Sequence, residues 1–128
     1  SAFESWDPDG PYDWVYSSLA IHHMSDPDKQ ELLETIYRVM NPGGRFLLCD
    51  LTRRPQERLD FYKELRRRRM MRAGFSEEEF EQRWQVHVQN DVPARLEDLV
   101  TWMREIGFTR VDCVWKETSR VILVADRA

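Results

Sequence analysis

The sequence has little cysteine, no long apolar run and no strong excess of either charge. Its two cysteines, Cys49 and Cys113, lie in separate apolar segments and lack the C-x-x-C spacing of metal or redox sites. We therefore expect free thiols in a reducing cytoplasm and no metal site. No apolar run approaches the length of a membrane span, and no basic-then-apolar leader opens the chain, so no membrane association is expected.

The composition predicts one domain over residues 1–128. The chain is 41% hydrophobic with a formal net charge of -4, which is enough apolar material for one core. That charge gives no general basis for binding DNA or an anionic surface. Four consecutive arginines, 66–69, would spread around a helix instead of forming one basic face, so they predict a solvated, charge-paired region.

A strand, a helix and a second strand are predicted in the first part of the chain, over residues 14–17, 26–40 and 46–51. Asp26 is the expected N-cap, and Pro27 suits the first helical position. The NPGG segment at 41–44 should stop the helix in a tight turn. This order predicts a right-handed βαβ unit with parallel strands.

Further helices and a closing hairpin are predicted in the rest of the chain. Two helices are expected at about 55–91, the second opened by a capping box of Ser76 and Glu79. A third helix should end at Gly107, followed by two antiparallel strands over 108–115 and 121–125. Three tryptophans are expected to anchor the core: Trp84, Trp102 and Trp115.

Five ordered segments resemble the carboxyl-terminal half of class I S-adenosylmethionine-dependent methyltransferases. They are YDWVYSSLAIHH, SDPDKQELLETIYRVMNPGG, RFLLCDL, VPARLEDLVTWMREIGFTRVDCVWK and RVILVADR. The resemblance implies an α/β fold: a partial Rossmann-like methyltransferase sheet of strand order 4-5-7-6, with a terminal antiparallel hairpin and flanking helices. The glycine-rich half of that family is absent from the sequence. We therefore expect S-adenosylmethionine to bind this chain alone weakly or not at all.

Open α/β sheets bind ligands beyond the carboxyl ends of their parallel strands. In this sequence that edge would include Ser17, Ser18 and Leu19. The resemblance implies that this segment passes beneath the methionine portion of the donor. It also implies that Ser1 and Ala2 lie where the family usually has an Asp-Ala pair contacting adenine.

Two histidines and an aspartate are the candidate catalytic residues. His22 or His23 could take a proton from an acceptor hydroxyl or amine, because imidazole titrates near neutral pH. Alternatively, one histidine packs in the core and the other caps the following helix. Asp50 could orient an acceptor, cap a turn, or pair with Arg53 or Arg54.

The expected function is methyl transfer from S-adenosylmethionine to a small-molecule or RNA acceptor by the parent protein, with this chain alone inactive. The alternative is a non-catalytic half-fold that acts as a dimerisation or interaction module. A homodimer is expected through the exposed strand at 14–17, because an open strand edge seeks a partner.

Overall fold

The backbone is described for residues 8–90 and 93–128, in a computed structural model that forms one open four-stranded sheet with flanking helices. The elements, in chain order, are β1 (Tyr12–Ser18), α1 (Asp26–Arg38), β2 (Met40–Leu51), α2 (Leu59–Arg72), α3 (Glu77–Asn90), α4 (Leu96–Ile106), β3 (Phe108–Glu117) and β4 (Arg120–Arg127). Short 3-10 turns, Ile21–His23 and Gln56–Arg58, precede α1 and α2. None of these described helices is long and apolar enough to cross a membrane.

The strand order is β1-β2-β4-β3. It corresponds to the predicted order 4-5-7-6, which is confirmed. β1 and β2 pair in parallel, so the βαβ unit is also confirmed, while β4 is antiparallel to both β2 and β3. Parallel pairing brings the carboxyl ends of β1 and β2 to the same edge of the sheet.

The predicted end of the first helix was wrong. α1 ends at Arg38, and Met40 is a buried residue of β2. The NPGG segment lies within that strand as a bulge, because the pairing with β1 jumps from Met40 to Arg45. A side chain on Gly44 would come within 3.1 Å of the Asp13 carbonyl oxygen on β1, so the bulged backbone needs glycine there.

The caps of α1 and α3 differ in how well they were predicted. Ser25, not Asp26, is the N-cap of α1, since its hydroxyl accepts from the Asp28 amide at 3.3 Å. The predicted capping box of α3 is confirmed by reciprocal 3.1 Å hydrogen bonds between Ser76 and Glu79. These bonds satisfy amide groups that a helix start otherwise leaves without partners.

The main core lies between one face of the sheet and the helices α1 and α4. It is formed by buried apolar side chains from all these elements, including Leu33, Ile36, Phe46, Leu48, Leu99, Met103, Leu123 and Ala125. The opposite face carries Trp14 and Tyr16, which are 62% and 67% exposed. Trp115 is also exposed and is not the predicted core anchor, because a register shift in β3 pairs it with Ile122 of β4 instead of with a core residue.

The helices α2 and α3 form a hairpin with a small core of its own. Met70, Phe80 and Trp84 are buried there. The predicted charge pairing of the arginine run is confirmed at Arg67, which bonds Glu64 at 2.8 Å and Glu77 at 2.6 Å. This hairpin follows the end of β2 in the chain, so it is connected to the edge of the sheet at which β1 and β2 end.

Candidate functional site

A buried histidine-aspartate pair lies at the carboxyl ends of β1 and β2. Asp50, with no exposed surface, is near the end of β2, and His22 is in the 3-10 turn that follows β1. The His22 Nδ1 atom is 2.6 Å from an Asp50 carboxylate oxygen. Residues 28 positions apart in the sequence are thus brought into direct contact by the parallel pairing of the two strands.

The Asp50 carboxylate also accepts two backbone hydrogen bonds. The Ile21 amide donates to Oδ2 at 2.9 Å, and the Leu51 amide donates to Oδ1 at 2.8 Å. Because an ionised carboxylate only accepts, it favours the His22 tautomer with the proton on Nδ1. Nε2 is then the acceptor nitrogen of the ring, which is the form that a general base requires.

His23 lies beside this pair but has a different environment. Its side chain is exposed, and its ring centroid is 3.8 Å from that of His22. Neither histidine is the N-cap of α1, because Ser25 has that role. Asp50 bonds His22 and two backbone amides, whereas Arg54 lies over the Trp84 ring with its guanidinium carbon 4.8 Å from the ring centroid.

The segment predicted to contact the donor turns sharply after β1. Ser17 is partly buried, whereas Ser18 and Leu19 are exposed. Leu19 has a positive φ of 53°, and its amide donates to the Cys49 carbonyl oxygen at 2.8 Å. The segment is therefore held against the end of β2. The other predicted donor contacts, Ser1 and Ala2, lie outside the described residues.

Sequence reasoning missed two buried polar residues near this edge. Lys29 is fully buried on α1, where its ammonium group bonds Asp26 at 3.1 Å. Their spacing of three residues on a helix was the signal for that ion pair. Ser119 is buried in the β3–β4 turn, and its carbonyl oxygen accepts from both the amide and the hydroxyl of Thr52, at 2.7 and 2.8 Å.

Among the side chains that the structure describes, in residues 8–86 and 93–128, no group of three or more histidine, cysteine, aspartate or glutamate side chains is arranged to hold a metal ion. Cys49 and Cys113 are both free thiols. They lie on β2 and β3, which are separated in the sheet by β4. That separation is about two strand spacings, near 9.6 Å, which is too far for a disulfide without backbone movement.

The family of the chain follows from sequence comparison. A known family, described as a methyltransferase domain, matches residues 2–113. The chain belongs to this methyltransferase family. A relative in Synechocystis sp., the uncharacterized methyltransferase sll0829, is 40% identical over 45 residues, which cover 35% of this chain and 21% of the relative.

Solved structures show the same fold at low sequence identity. PigF with SAH superposes with a TM-score of 0.64 at 15% identity, covering 100% of this chain and 34% of PigF. Human N-acetylserotonin methyltransferase in complex with SAM gives a TM-score of 0.61 at 18% identity, covering 95% of this chain and 31% of the human protein. The methyltransferase chain thus spans about a third of the length of these two structures.

Proposed function

We propose that this chain forms part of an enzyme that transfers a methyl group from S-adenosylmethionine to a small-molecule or RNA acceptor. The observation that carries the proposal is the methyltransferase-domain match over residues 2–113. The fold neighbours that contain SAM or SAH support S-adenosylmethionine as the donor. Because the chain spans about a third of those structures, we propose that it is inactive alone.

The described residues suit only one part of the donor. The partly buried Ser17 and the exposed Ser18 and Leu19 can face the polar methionine portion of S-adenosylmethionine. Within residues 8–90 and 93–128, no strand is followed by a glycine-rich turn. We therefore assign the remaining donor contacts, including those to adenine, to other segments. When bound, the donor supplies an electrophilic methyl carbon on its sulfonium.

In the proposed mechanism, His22 is the general base and Asp50 positions it. Nε2 of His22 would take the proton that the acceptor atom loses when it is methylated, and the donor would leave as a neutral thioether once its sulfur–methyl bond has broken. Asp50 maintains the tautomer and stabilises the imidazolium that results. His23, exposed beside His22, is a second candidate for contact with the acceptor. For an acceptor that loses no proton, alignment with the donor supplies the rate.

Radiolabelled methyl transfer tests this function. The complete protein that contains this chain is incubated with S-adenosylmethionine labelled on its methyl group, together with small-molecule and RNA fractions of a cell extract. We expect label in one fraction, and His22→Gln should lower its rate by about 10²- to 10⁴-fold. Asp112→Asn, an exposed change on β3, is the control. Folded protein that labels neither fraction contradicts the proposal.

The second candidate function is a non-catalytic dimerisation module, which the open edge of the sheet favours. In the described sheet β1 pairs with β2 alone, and it carries the exposed Trp14 and Tyr16. We propose that two copies pair β1 antiparallel about a two-fold axis through Val15, perpendicular to the sheet. In that register Trp14 of one copy lies opposite Tyr16 of the other on the same face, which gives two aromatic cross-strand pairs.

Light scattering of the 128-residue chain tests the dimer. We expect a dimer that Trp14→Lys converts to monomer, because the variant places a cation at each aromatic pair. Phe61→Lys, at an exposed aromatic on α2, should leave the dimer intact. A folded wild-type monomer at high concentration would rule out pairing through β1. A dimer whose complete protein transfers no methyl group would favour the non-catalytic function.

We also propose a cytoplasmic location. Its support is the pair of free thiols, Cys49 and Cys113, which suit a reducing compartment. Fractionation of cells that express the tagged complete protein tests this location, and recovery from membranes or medium would contradict it.

A further inference from the structure

A cavity of about 500 Å³ opens beyond the carboxyl end of β2. Its charged lining consists of three arginines, Arg53, Arg54 and Arg95, and two glutamates, Glu57 and Glu97. Small-molecule sites typically occupy about 300–1,000 Å³, so the cavity has the size of such a site. A hydrogen bond of 2.8 Å from the Arg53 amide to the Ala94 carbonyl oxygen joins the two segments that form its walls.

The three arginines differ in what holds them. Arg54 lies against Trp84, which fixes its position at the junction with α3. Arg95 bonds Glu97 at 3.3 Å and Asp98 at 3.2 Å, so its charge is largely neutralised. The exposed guanidinium of Arg53 has no ion-pair partner within the described part of the chain. Arg53 is therefore the cation most able to bind a ligand in this cavity.

We propose that this cavity binds the carboxylate of a small-molecule methyl acceptor, with Arg53 as the main contact. The identification of the ligand as an acceptor rests on the proposed methyltransferase function. A planar guanidinium can donate two parallel hydrogen bonds to a carboxylate. The lining holds one more arginine than glutamates, and Arg53 is the arginine that no acidic side chain of the described residues holds. Glu57 and Glu97 repel any anion, and they repel a phosphate dianion or an RNA strand more strongly than a carboxylate, which carries a single negative charge.

The cavity is close along the chain to the histidine-aspartate pair. Arg53 follows Asp50 by three residues, so their α-carbons are separated by no more than about 11 Å. Asp50 in turn contacts His22 directly. In the proposed complex, an acceptor whose carboxylate bonds Arg53 places its nucleophilic atom at His22. The arginine would then select the acceptor, while the histidine would act on it.

Nuclear magnetic resonance of the ¹⁵N-labelled 128-residue chain tests the site, with benzoate as the carboxylate probe and benzamide as its neutral analogue. We expect benzoate to shift the signals of Arg53, Arg54 and Arg95, and benzamide to leave them unchanged. Arg53→Gln should weaken benzoate binding about tenfold. Arg104→Gln, an exposed change near the other end of α4, should bind benzoate as the wild type does.

A second variant keeps the test decisive if Arg53→Gln does not fold. Glu57→Gln removes a negative charge from the cavity and should strengthen benzoate binding several-fold. Inorganic phosphate and a short single-stranded RNA are the other probes. The proposal is overturned if benzamide binds as well as benzoate, or if neither Arg53→Gln nor Glu57→Gln changes the affinity for benzoate. It is also overturned if phosphate or RNA binds more tightly than benzoate and Arg53→Gln weakens that binding.

The binding measurement is independent of methyl transfer. It requires neither S-adenosylmethionine nor turnover. Benzoate binding by a chain whose complete protein transfers no methyl group would support the carboxylate site and refute the proposed enzyme. Labelled transfer by a protein whose cavity does not bind benzoate would support the enzyme and refute this site.

Discussion

Replacing Asp50 is the most informative perturbation of this protein, because one buried carboxylate holds three donors. It accepts from the backbone amides of Ile21 and Leu51 and from His22, at distances between 2.6 and 2.9 Å. Asp50→Ala removes every acceptor at once. Asp50→Asn keeps one oxygen but replaces the other with a donor, so at least one backbone amide loses its acceptor whichever way the side-chain amide points.

The expected losses of unfolding free energy follow from these bonds. A buried donor left without a partner costs about 1–3 kcal/mol. Asp50→Ala leaves three donors without an acceptor and should therefore lower the free energy of unfolding by about 3–6 kcal/mol, because water entering the site can accept from some of them. Asp50→Asn should lower it by about 1–3 kcal/mol. Since a domain is stable by about 5–15 kcal/mol, the alanine variant should be close to unfolding. Asp112→Ala, at an exposed aspartate, should change stability by less than about 0.5 kcal/mol.

Urea unfolding followed by circular dichroism measures these differences. The wild-type chain should also show His22 with its proton on Nδ1 in long-range proton-nitrogen spectra, because Asp50 accepts at that atom. The reasoning is refuted if Asp50→Ala is no less stable than Asp112→Ala. It is also refuted if His22 carries its proton on Nε2 in the folded wild type.

Three further predictions test the donor site, the helical hairpin and one turn. Calorimetry of the 128-residue chain should show no S-adenosylmethionine binding tighter than about 100 μM, since each missing polar contact costs about 1 kcal/mol, and low-micromolar affinity would contradict this. Hydrogen bonds from Arg67 and, to a smaller extent, from Arg68 lower the pKa of Glu64 from 4.5 to about 2. The ionised Glu64 carboxylate therefore stabilises the folded state above pH 4.5, and this stabilisation is lost as the pH falls toward about 2. Circular dichroism should show a loss of helix over that pH range, and Glu64→Gln should reduce the loss. Gly107→Ala should lower the free energy of unfolding in urea by about 1–3 kcal/mol more than Gly43→Ala does. The methyl group of an alanine at 107 would lie 2.9 Å from the Tyr37 hydroxyl, whereas a methyl group at 43 would enter open space. Equal losses in the two variants would refute the contact with Tyr37.

The elements with strong local signals were predicted well from the sequence. The capping box at Ser76 and Glu79, the helix end at Gly107 and the closing hairpin all depend on neighbouring residues, so their chemistry is present in a short window. The strand order came from the resemblance of ordered segments. No local pattern specifies that β4 lies between β2 and β3, because that arrangement depends on pairing between distant parts of the chain.

The errors occurred where tertiary contacts overrode local preference. The NPGG segment has the residues of a tight turn, yet close packing against β1 makes it a bulge within β2. Trp115 has the large apolar side chain that is typical of a core residue, but a register shift in β3 exposes it. Neither outcome follows from the residues alone, since each depends on the neighbouring strand.

The candidate site shows the same division between sequence and structure. The sequence by itself determined that His22 and His23 follow one predicted strand and that Asp50 lies at the carboxyl end of the next, and hence that all three belong to one edge of a sheet. Only the tertiary structure decided that Asp50 is buried, that it bonds His22 and that His23 is exposed. The physical reason is that the burial of a side chain and its bonding partner depend on how strands distant in the sequence pair, and no local propensity encodes that pairing.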